Sequence, residues 1–570
     1  MRPAGTVRGT RLKTPRAGYI HGSTDARSWF RKTAPMTNIR EETIQIMRSL
    51  GLTTVFGNPG STEEPFLQNL PTDFKYILGL QEASVVAMAD GYAQATGRPA
   101  FVNLHTAPGV GNAMGAIVGA WHNKTPLIIT AGQQTRQMLL LEPWLTNVDA
   151  TELPKPYVKW SYETLRAEDA PAALMRAYAE AVQPPMGPVF LSLPMDDWNK
   201  PALGKATVRQ IARRTAPDPE TMQEFATALS QASNPALVFG AGVDRSGGWA
   251  EAVALAERLR APVFSPPAGE RAGFPENHPQ FMGALPFAIG PLSEKLQGHD
   301  IVLVVGAPVF RYYPYVPGDF LPEGTRLLHI TDDPHETARA PVGDAALGDA
   351  ALACAALTAL VTPAERPLPA PRPQQPAPEP TQPMSADYLF SALASALHDE
   401  AILVQESPSN MRPFHQRLPA RHPASYFSMA SGGLGFGLPA SVGIALAEQD
   451  KGTRRPVVAI IGDGSFQYSV QALYTAGQHN LPLLVIVPNN GEYAILKSFA
   501  EHEKTPNVPG LDVPGIDLCA LARGFGVNAR RLKDPNDVAQ AVRDALAQGG
   551  PHVLDVSIAP TVPPLLPPSS

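Results

Sequence analysis

Three doubly wound parallel-sheet α/β domains in series are the fold this sequence predicts, and three observations predict it. Ten short apolar runs, FVNLH, PLIITAG, PVFLSLP, PALVFGAG, IVLVVGAP, RLLHIT, AILVQE, PVVAIIG, PLLVIVP and HVLDVSI, are nearly continuous in Val, Ile and Leu. Strands of that composition are buried on both faces, as in a parallel sheet covered by helices. Longer stretches with helical spacing separate the runs, an alternation that builds α/β units. At 570 residues the chain has room for three or four such domains.

Composition narrows the partners. A 44% apolar and 17% charged chain with a net charge of −6 has ample core and no electrostatic reason to bind nucleic acid or an anionic membrane. No apolar run approaches the roughly 18 residues that would read as a membrane span. Cys354 and Cys519, far apart in sequence, offer neither a bridge framework nor metal-ligand spacing, which fits a reducing, cytoplasmic setting.

Boundaries follow from the breaks in pattern. Residues 1–35 carry eight Lys/Arg against one Asp without apolar periodicity. A transit peptide is also basic and poor in acid, but Pro3, Pro15 and Pro35 with four glycines argue against an amphipathic helix, so a disordered extension is expected. PAERPLPAPRPQQPAPEPTQP, residues 363–383, reads as an extended, semi-rigid linker. A softer polar boundary falls near residues 196–215. The expected domains are therefore 36–204, 205–362 and 384–570.

The strongest chemical signal lies in the last of them. The strand PVVAII ends in Gly462-Asp463-Gly464-Ser465, and FQYSVQALYTAGQHN then has helical spacing from near Phe466. LPLLVIVPNN supplies the next strand, ending at Asn490, 27 residues after Asp463. In a right-handed β–α–β crossover both strand ends open on one edge of the sheet, where such folds bind ligands. No Lys follows the glycines, so this is not a nucleotide P-loop. A carboxylate, an amide oxygen and a loop carbonyl at Glu492 make a hard oxygen site for Mg²⁺ or Ca²⁺, not zinc. A diphosphate would complete it, favoured by the helix N-terminus.

GDGS followed at this distance by NN resembles the signature of thiamine-diphosphate enzymes. The resemblance implies Asp463, Asn490 and the Glu492 carbonyl as metal ligands, with Gly462, Gly464 and Ser465 along the phosphates. It widens over most of the chain. FGNPGS, LQEA, DGYAQA, GNAMGA, TAGQQTR, LTNVDA, VKWSYE, GAPVFRY and NVPGLDVPGID are similar to the benzoylformate decarboxylases, a branch of the thiamine-diphosphate-dependent 2-oxo acid decarboxylase/acetolactate synthase family.

That branch implies non-oxidative decarboxylation of an aromatic 2-oxo acid to an aldehyde and CO₂. The implied catalytic residues are Glu82, which would hydrogen-bond the aminopyrimidine and set its tautomer, His105 and His278 for proton transfer, and Ser61 for the substrate carboxylate. Pro59, Gly60, Ser409, Gly432, Leu434 and Tyr493 complete the expected cofactor site. Glu82 would serve a neighbouring subunit, so a homodimer at least, and a homotetramer, is implied. The central domain shows no convincing dinucleotide fingerprint, and FAD is not expected.

Departures from the family pattern fall on the substrate wall. Ser428 stands where a Phe is usual, Trp144 replaces a Leu, Ile495 an Ala, and Pro408 a Thr beside the cofactor. Leu145, Leu496 and Phe499 keep their apolar type. A carboligase of acetolactate synthase type is the alternative within the class, and His105 counts against it. A non-catalytic binding protein would show damage at Glu82, Asp463 or Asn490, and none is present.

Overall fold

The computed structural model describes residues 37–373 and 375–566, so the extension expected over residues 1–35 lies outside the described residues. Three six-stranded sheets follow one another along the chain. In spatial order the first is Lys75–Leu78, Thr54–Gly57, Ala100–Leu104, Leu127–Gln133, Val189–Pro194 and Ser161–Glu163. The second is Asp344–Leu347, Arg326–Thr331, Ile301–Val305, Ala236–Phe239, Val263–Ser265 and Phe281–Ala284. The third is Tyr426–Ser428, Ile402–Glu406, Val457–Ile461, Leu483–Asn489, His552–Ser557 and Asn528–Leu532.

Every pairing between neighbouring strands of these sheets is parallel, and all ten apolar runs form strands. The doubly wound architecture expected from the sequence is therefore present three times. In each sheet the order reverses beside an early central strand, which opens a crevice at the carboxyl ends.

The first and third sheets are held together by two helices, Glu82–Thr96 and Gly437–Lys451, whose small residues let the backbones meet. A Cβ on Gly443 would lie 1.9 Å from the Met88 carbonyl oxygen, and one on Gly91 would lie 2.2 Å from that of Ala440. Only glycine permits this crossing. The apolar core is continuous through it, from Val85 and Met88 to Leu438 and Val442.

One local expectation needs correction. The helix after the Asp-Gly turn begins at Asp463, not near Phe466, and it stops at Tyr468. A second helix, Ala472–Gln478, follows. Ser469 sits in the break and donates its hydroxyl to the Gly435 carbonyl at 2.7 Å, a contact that helical spacing alone could not reveal. The Pro-rich segment is irregular, but it is strapped down. Arg372 donates to the Glu276 carbonyl and lies over the Phe281 ring, and Arg417 donates to the carbonyls of Gln375 and Pro376.

Candidate active site

Three adjacent strands of the first sheet, Lys75–Leu78, Thr54–Gly57 and Ala100–Leu104, lead into the N-terminal group of expected site residues. Glu82 opens its helix behind the Gln81 cap and is nearly buried, with 7% exposure. Its two carboxylate oxygens each accept one amide N–H, from Asn58 and Asn112, both at 3.1 Å. These paired bonds fix the carboxylate plane. Pro59 and Ser61 are exposed on the loop beside it.

His105, the N-cap of the helix Thr106–His122, has a partner that the sequence did not single out. Its Nδ1 lies 2.9 Å from Glu63 Oε2. Glu63 is only 1% exposed and also accepts the backbone N–H groups of Gly60 (3.0 Å) and Gly132 (2.8 Å) and the Thr62 hydroxyl (2.7 Å). A carboxylate oxygen accepts, so Nδ1 bears the hydrogen and Nε2 is left free for chemistry. Gly60 has its own reason here. A Cβ on it would lie 2.0 Å from His105 Nδ1, so glycine lets the imidazole rest against the loop.

The C-terminal group sits at the ends of the parallel strands Val457–Ile461 and Leu483–Asn489. Asp463 accepts the Gly464 N–H at 2.9 Å on one oxygen and the Gly491 N–H at 2.7 Å on the other, which draws the Asn490–Glu492 loop across the turn. Asn490 Oδ1 accepts the Glu492 N–H at 3.2 Å. The Glu492 carboxylate is engaged by Lys497. Burial raises the Asp463 pKa, with a smaller contribution from Asp555, and among the described ion pairs no cation offsets it. A buried carboxylate beside an amide oxygen and a loop carbonyl is the donor set that a hard divalent cation takes.

The Tyr493 ring lies over Gly464, where a Cβ would come within 2.4 Å of it. Ser465 is buried at the start of the same helix. The hydroxyls of Ser465 and Ser407 flank Gly462, 3.6 and 3.7 Å from where a Cβ would stand. Ser409 lies in the short turn Pro408–Asn410 that follows Ile402–Glu406. Gly432, at φ 75°, and the half-buried Leu434 belong to the loop before the helix Gly437–Lys451.

The residues expected on the substrate wall fall into separate places. Ile495, Leu496 and Phe499 share the helix Ala494–His502, which packs on the turn Pro408–Asn410. Tyr313 of the central domain meets the Phe499 ring at 4.7 Å between centroids, a neighbour the sequence did not indicate. Ser428 is buried and gives its hydroxyl to Gln405, 3.0 Å from the carbonyl and 3.2 Å from Oε1. The polarity expected of it is thus consumed inside the domain. Trp144 is 93% exposed in the N-terminal domain, with Leu145 next to it at 38%. His278 stays within the central domain, 3.4 Å from Glu257 Oε1 and edge-on to Phe274.

Within one chain, then, the site residues form separate groups. Among the described residues no hydrogen bond or ion pair joins Ser61, Glu82 or His105 to Gly432, Leu434, Asp463 or Asn490.

Two half-sites on twin α/β domains, one carboxylate-and-histidine, one hard-oxygen and glycine-rich, define a class that comparison with known proteins identifies. Residues 37–153 match the N-terminal TPP binding domain of thiamine pyrophosphate enzymes, 222–359 the central domain and 409–556 the C-terminal TPP binding domain. The chain belongs to this thiamine pyrophosphate enzyme family. It is 48% identical over 525 residues to benzoylformate decarboxylase of Pseudomonas aeruginosa, covering 91% of this chain and 99% of that protein. The crystal structure of benzoylformate decarboxylase from Polynucleobacter necessarius superposes with a TM-score of 0.91 at 47% identity, over 93% of this chain and all of that one. The 4-hydroxybenzoylformate decarboxylase of Rhodococcus jostii RHA1 gives 0.89 at 43%, over 93% and 100%. With such relatives the enzyme is a carboxy-lyase, a thiamine-diphosphate-dependent 2-oxo acid decarboxylase of the benzoylformate type.

Proposed function

We propose that this enzyme decarboxylates an aromatic 2-oxo acid, benzoylformate or a ring-substituted relative, with thiamine diphosphate held through Mg²⁺. The observation that carries the reading is His105 locked by the buried Glu63 beside Glu82, a proton-handling group where a carboligase has no use for one. Asp463 and Asn490 would hold the ion with the Glu492 carbonyl, and Ca²⁺ could replace Mg²⁺ in so hard a site. Glycines 462 and 464 with Ser465 would line the diphosphate. Gly432, Leu434, Pro59, Gly60, Ser409 and Tyr493 would bound the rest of the cofactor, and FAD has no part.

Thiamine diphosphate, when bound, supplies the electron sink for loss of CO₂. The chain's own groups position and protonate. Glu82, held by the amides of Asn58 and Asn112, would hydrogen-bond the aminopyrimidine and exchange a proton with it. Ser61 binds the substrate carboxylate, and His105, with Nδ1–H held by Glu63, takes up a proton at the free Nε2 and passes it to the carbon that loses CO₂. His278 assists from the central domain of the assembled enzyme. Trp144 and Leu145 supply one wall of the aryl pocket and Ile495, Leu496 and Phe499 the other, with Ser428 behind them.

The separation of the two half-sites in one chain, and the 93% exposure of Trp144, support active sites built between subunits of a homodimer or homotetramer. The reading also keeps the enzyme in the cytoplasm. The test is kcat/KM for benzoylformate, 4-hydroxybenzoylformate, phenylpyruvate and pyruvate, before and after chelation of divalent metal. The expected outcome is a preference for the two aryl substrates of roughly 10–200-fold, the range a shaped apolar pocket supports. Activity should vanish with chelator and return with Mg²⁺ and thiamine diphosphate. Preference for pyruvate with acetolactate as product would overturn the reading in favour of the carboligase.

A further inference from the structure

We propose that Glu406 is a positioning residue that ties the two cofactor loops of the C-terminal domain into one cradle. It ends the strand Ile402–Glu406, is fully buried, and has no cation among the described ion pairs. A carboxylate kept there uncompensated is costly unless its oxygens are filled by hydrogen bonds. They are filled by backbone. One oxygen accepts the Gly435 N–H at 2.7 Å and the other accepts the Gly437 N–H.

The helix Gly437–Lys451 has no side-chain cap of its own at Phe436, so the Glu406 carboxylate serves orphan donors that its N-terminus would otherwise leave bare. A cap alone would support only the helix. Glu406 reaches further, because Gly435 lies inside the loop that carries Gly432 and Leu434. From the same residue the backbone carbonyl accepts the Gly462 N–H at 3.0 Å, at the head of the Asp463 turn.

The circuit closes on the far side. Ser469, just past the helix that begins at Asp463, donates to the Gly435 carbonyl at 2.7 Å. Loop, strand end and turn thus form a ring of contacts: Glu406 to Gly435, Gly435 to Ser469, Ser469 through its helix to Gly462, and Gly462 back to Glu406. Gly435 adopts φ 104°, a conformation open to glycine, and Gly437 must lack a Cβ, which would meet that of Glu406 at 2.8 Å. The sequence shows Glu406 only as an acid at a strand end.

This inference rests on thiamine diphosphate occupying the two loops, and the test separates the two claims. Apo protein prepared by dialysis against chelator is titrated with thiamine diphosphate and Mg²⁺, following tryptophan fluorescence or heat, with no turnover required. Hydrogen exchange of segments 431–437 and 462–465 is followed in parallel. Glu406→Gln should weaken cofactor binding roughly 10–100-fold, because an amide NH₂ faces an N–H where an oxygen stood. Exchange in both segments should rise together, which a mere cap would not cause at 462–465. Glu406→Asp should recover part of the affinity.

Gly435→Ala, which leaves the carboxylate in place but strains the loop, should weaken binding in the same way, and the double variant should cost little more than either single change. It carries the test if Glu406→Gln does not fold. Wild-type affinity in either variant while Asp463→Ala loses the cofactor would overturn the proposal alone. Wild-type affinity in Asp463→Ala as well would overturn the cofactor site.

Discussion

His105 and Glu63 show what a single hydrogen bond decides at the residue scale. The buried Glu63 carboxylate accepts from Nδ1 and so leaves Nε2 without a hydrogen, free to accept one. Glu63→Gln can present an NH₂ to Nδ1, which moves the hydrogen to Nε2 and removes the free acceptor. The expected result is a fall in kcat of roughly 10–100-fold with KM little changed. The same substitution in a His105→Ala background should add almost nothing, whereas His105→Ala alone should cost about 10²–10⁴-fold. Equal further loss in the double variant would mean that Glu63 acts on something other than His105. Glu82→Gln belongs to a different step. It should slow exchange of the cofactor C2 hydrogen, measured by NMR after acid quench, and His105→Ala should leave that exchange intact. Glu63 was invisible in the sequence for a plain reason. In NPGSTEE it stands among acids at a helix start, and nothing local says which of them turns inward.

The elements follow a similar division. The ten strands read from apolar runs are neighbours in the middle of the three sheets, buried on both faces. The strands that were not read, such as Thr54–Gly57, Ser161–Glu163, Val263–Ser265 and Tyr426–Ser428, are short and lie toward the flanks, where pairing with a neighbour does what apolar content does in the centre. Composition records burial, and it records flanking strands poorly. The helix crossing at Gly443 belongs to this scale. Gly443→Ala places a Cβ against the Met88 backbone, which cannot yield as a side chain could. Overpacking of this kind costs about 1–3 kcal/mol. The expected outcome is a lower apparent melting temperature at fixed scan rate. An unchanged temperature would mean that the two helices separate freely.

Across the whole molecule the domains are joined by buried polar contacts. Lys124 of the N-terminal domain reaches Asp333 at 3.1 Å and Glu336 at 2.9 Å in the central one. Glu276 of the central domain accepts the Ala420 N–H of the C-terminal domain at 2.8 Å, under the strapped linker. Burial pushes its carboxyl up to about 7, against an ordinary value of 4.5. The folded enzyme therefore holds this proton more tightly than the unfolded chain does. The stabilisation is fully present below pH 4.5 and is lost as pH rises through about 7. The neighbouring His415, pushed down to about 4 by burial and Arg372, works in the opposite sense as pH falls below its ordinary 6.5. The difference in melting temperature between wild type and Glu276→Gln isolates the carboxyl. Wild type should lose ground to the variant between pH 5 and 7.5, and a difference independent of pH would remove Glu276 from this role.

From residue order alone came the three parallel sheets, the placing of Asp463 and Asn490 at neighbouring strand ends, the carboxylate Glu82 at a helix start and the family resemblance. Each is carried by local pattern: apolar runs dictated by two-sided burial, and chemistry placed at strand ends by chain connectivity. What only the tertiary structure decided lies between segments far apart in the chain. Glu63 and His105 are separated by 42 positions, Tyr313 meets Phe499 from another domain, and the Ser428 hydroxyl turns to Gln405. The break at Ser469 exists because Gly435 waits across the fold for its hydroxyl. Such pairings depend on which loops the folded backbone brings within hydrogen-bonding distance, and no periodicity along the chain encodes that distance.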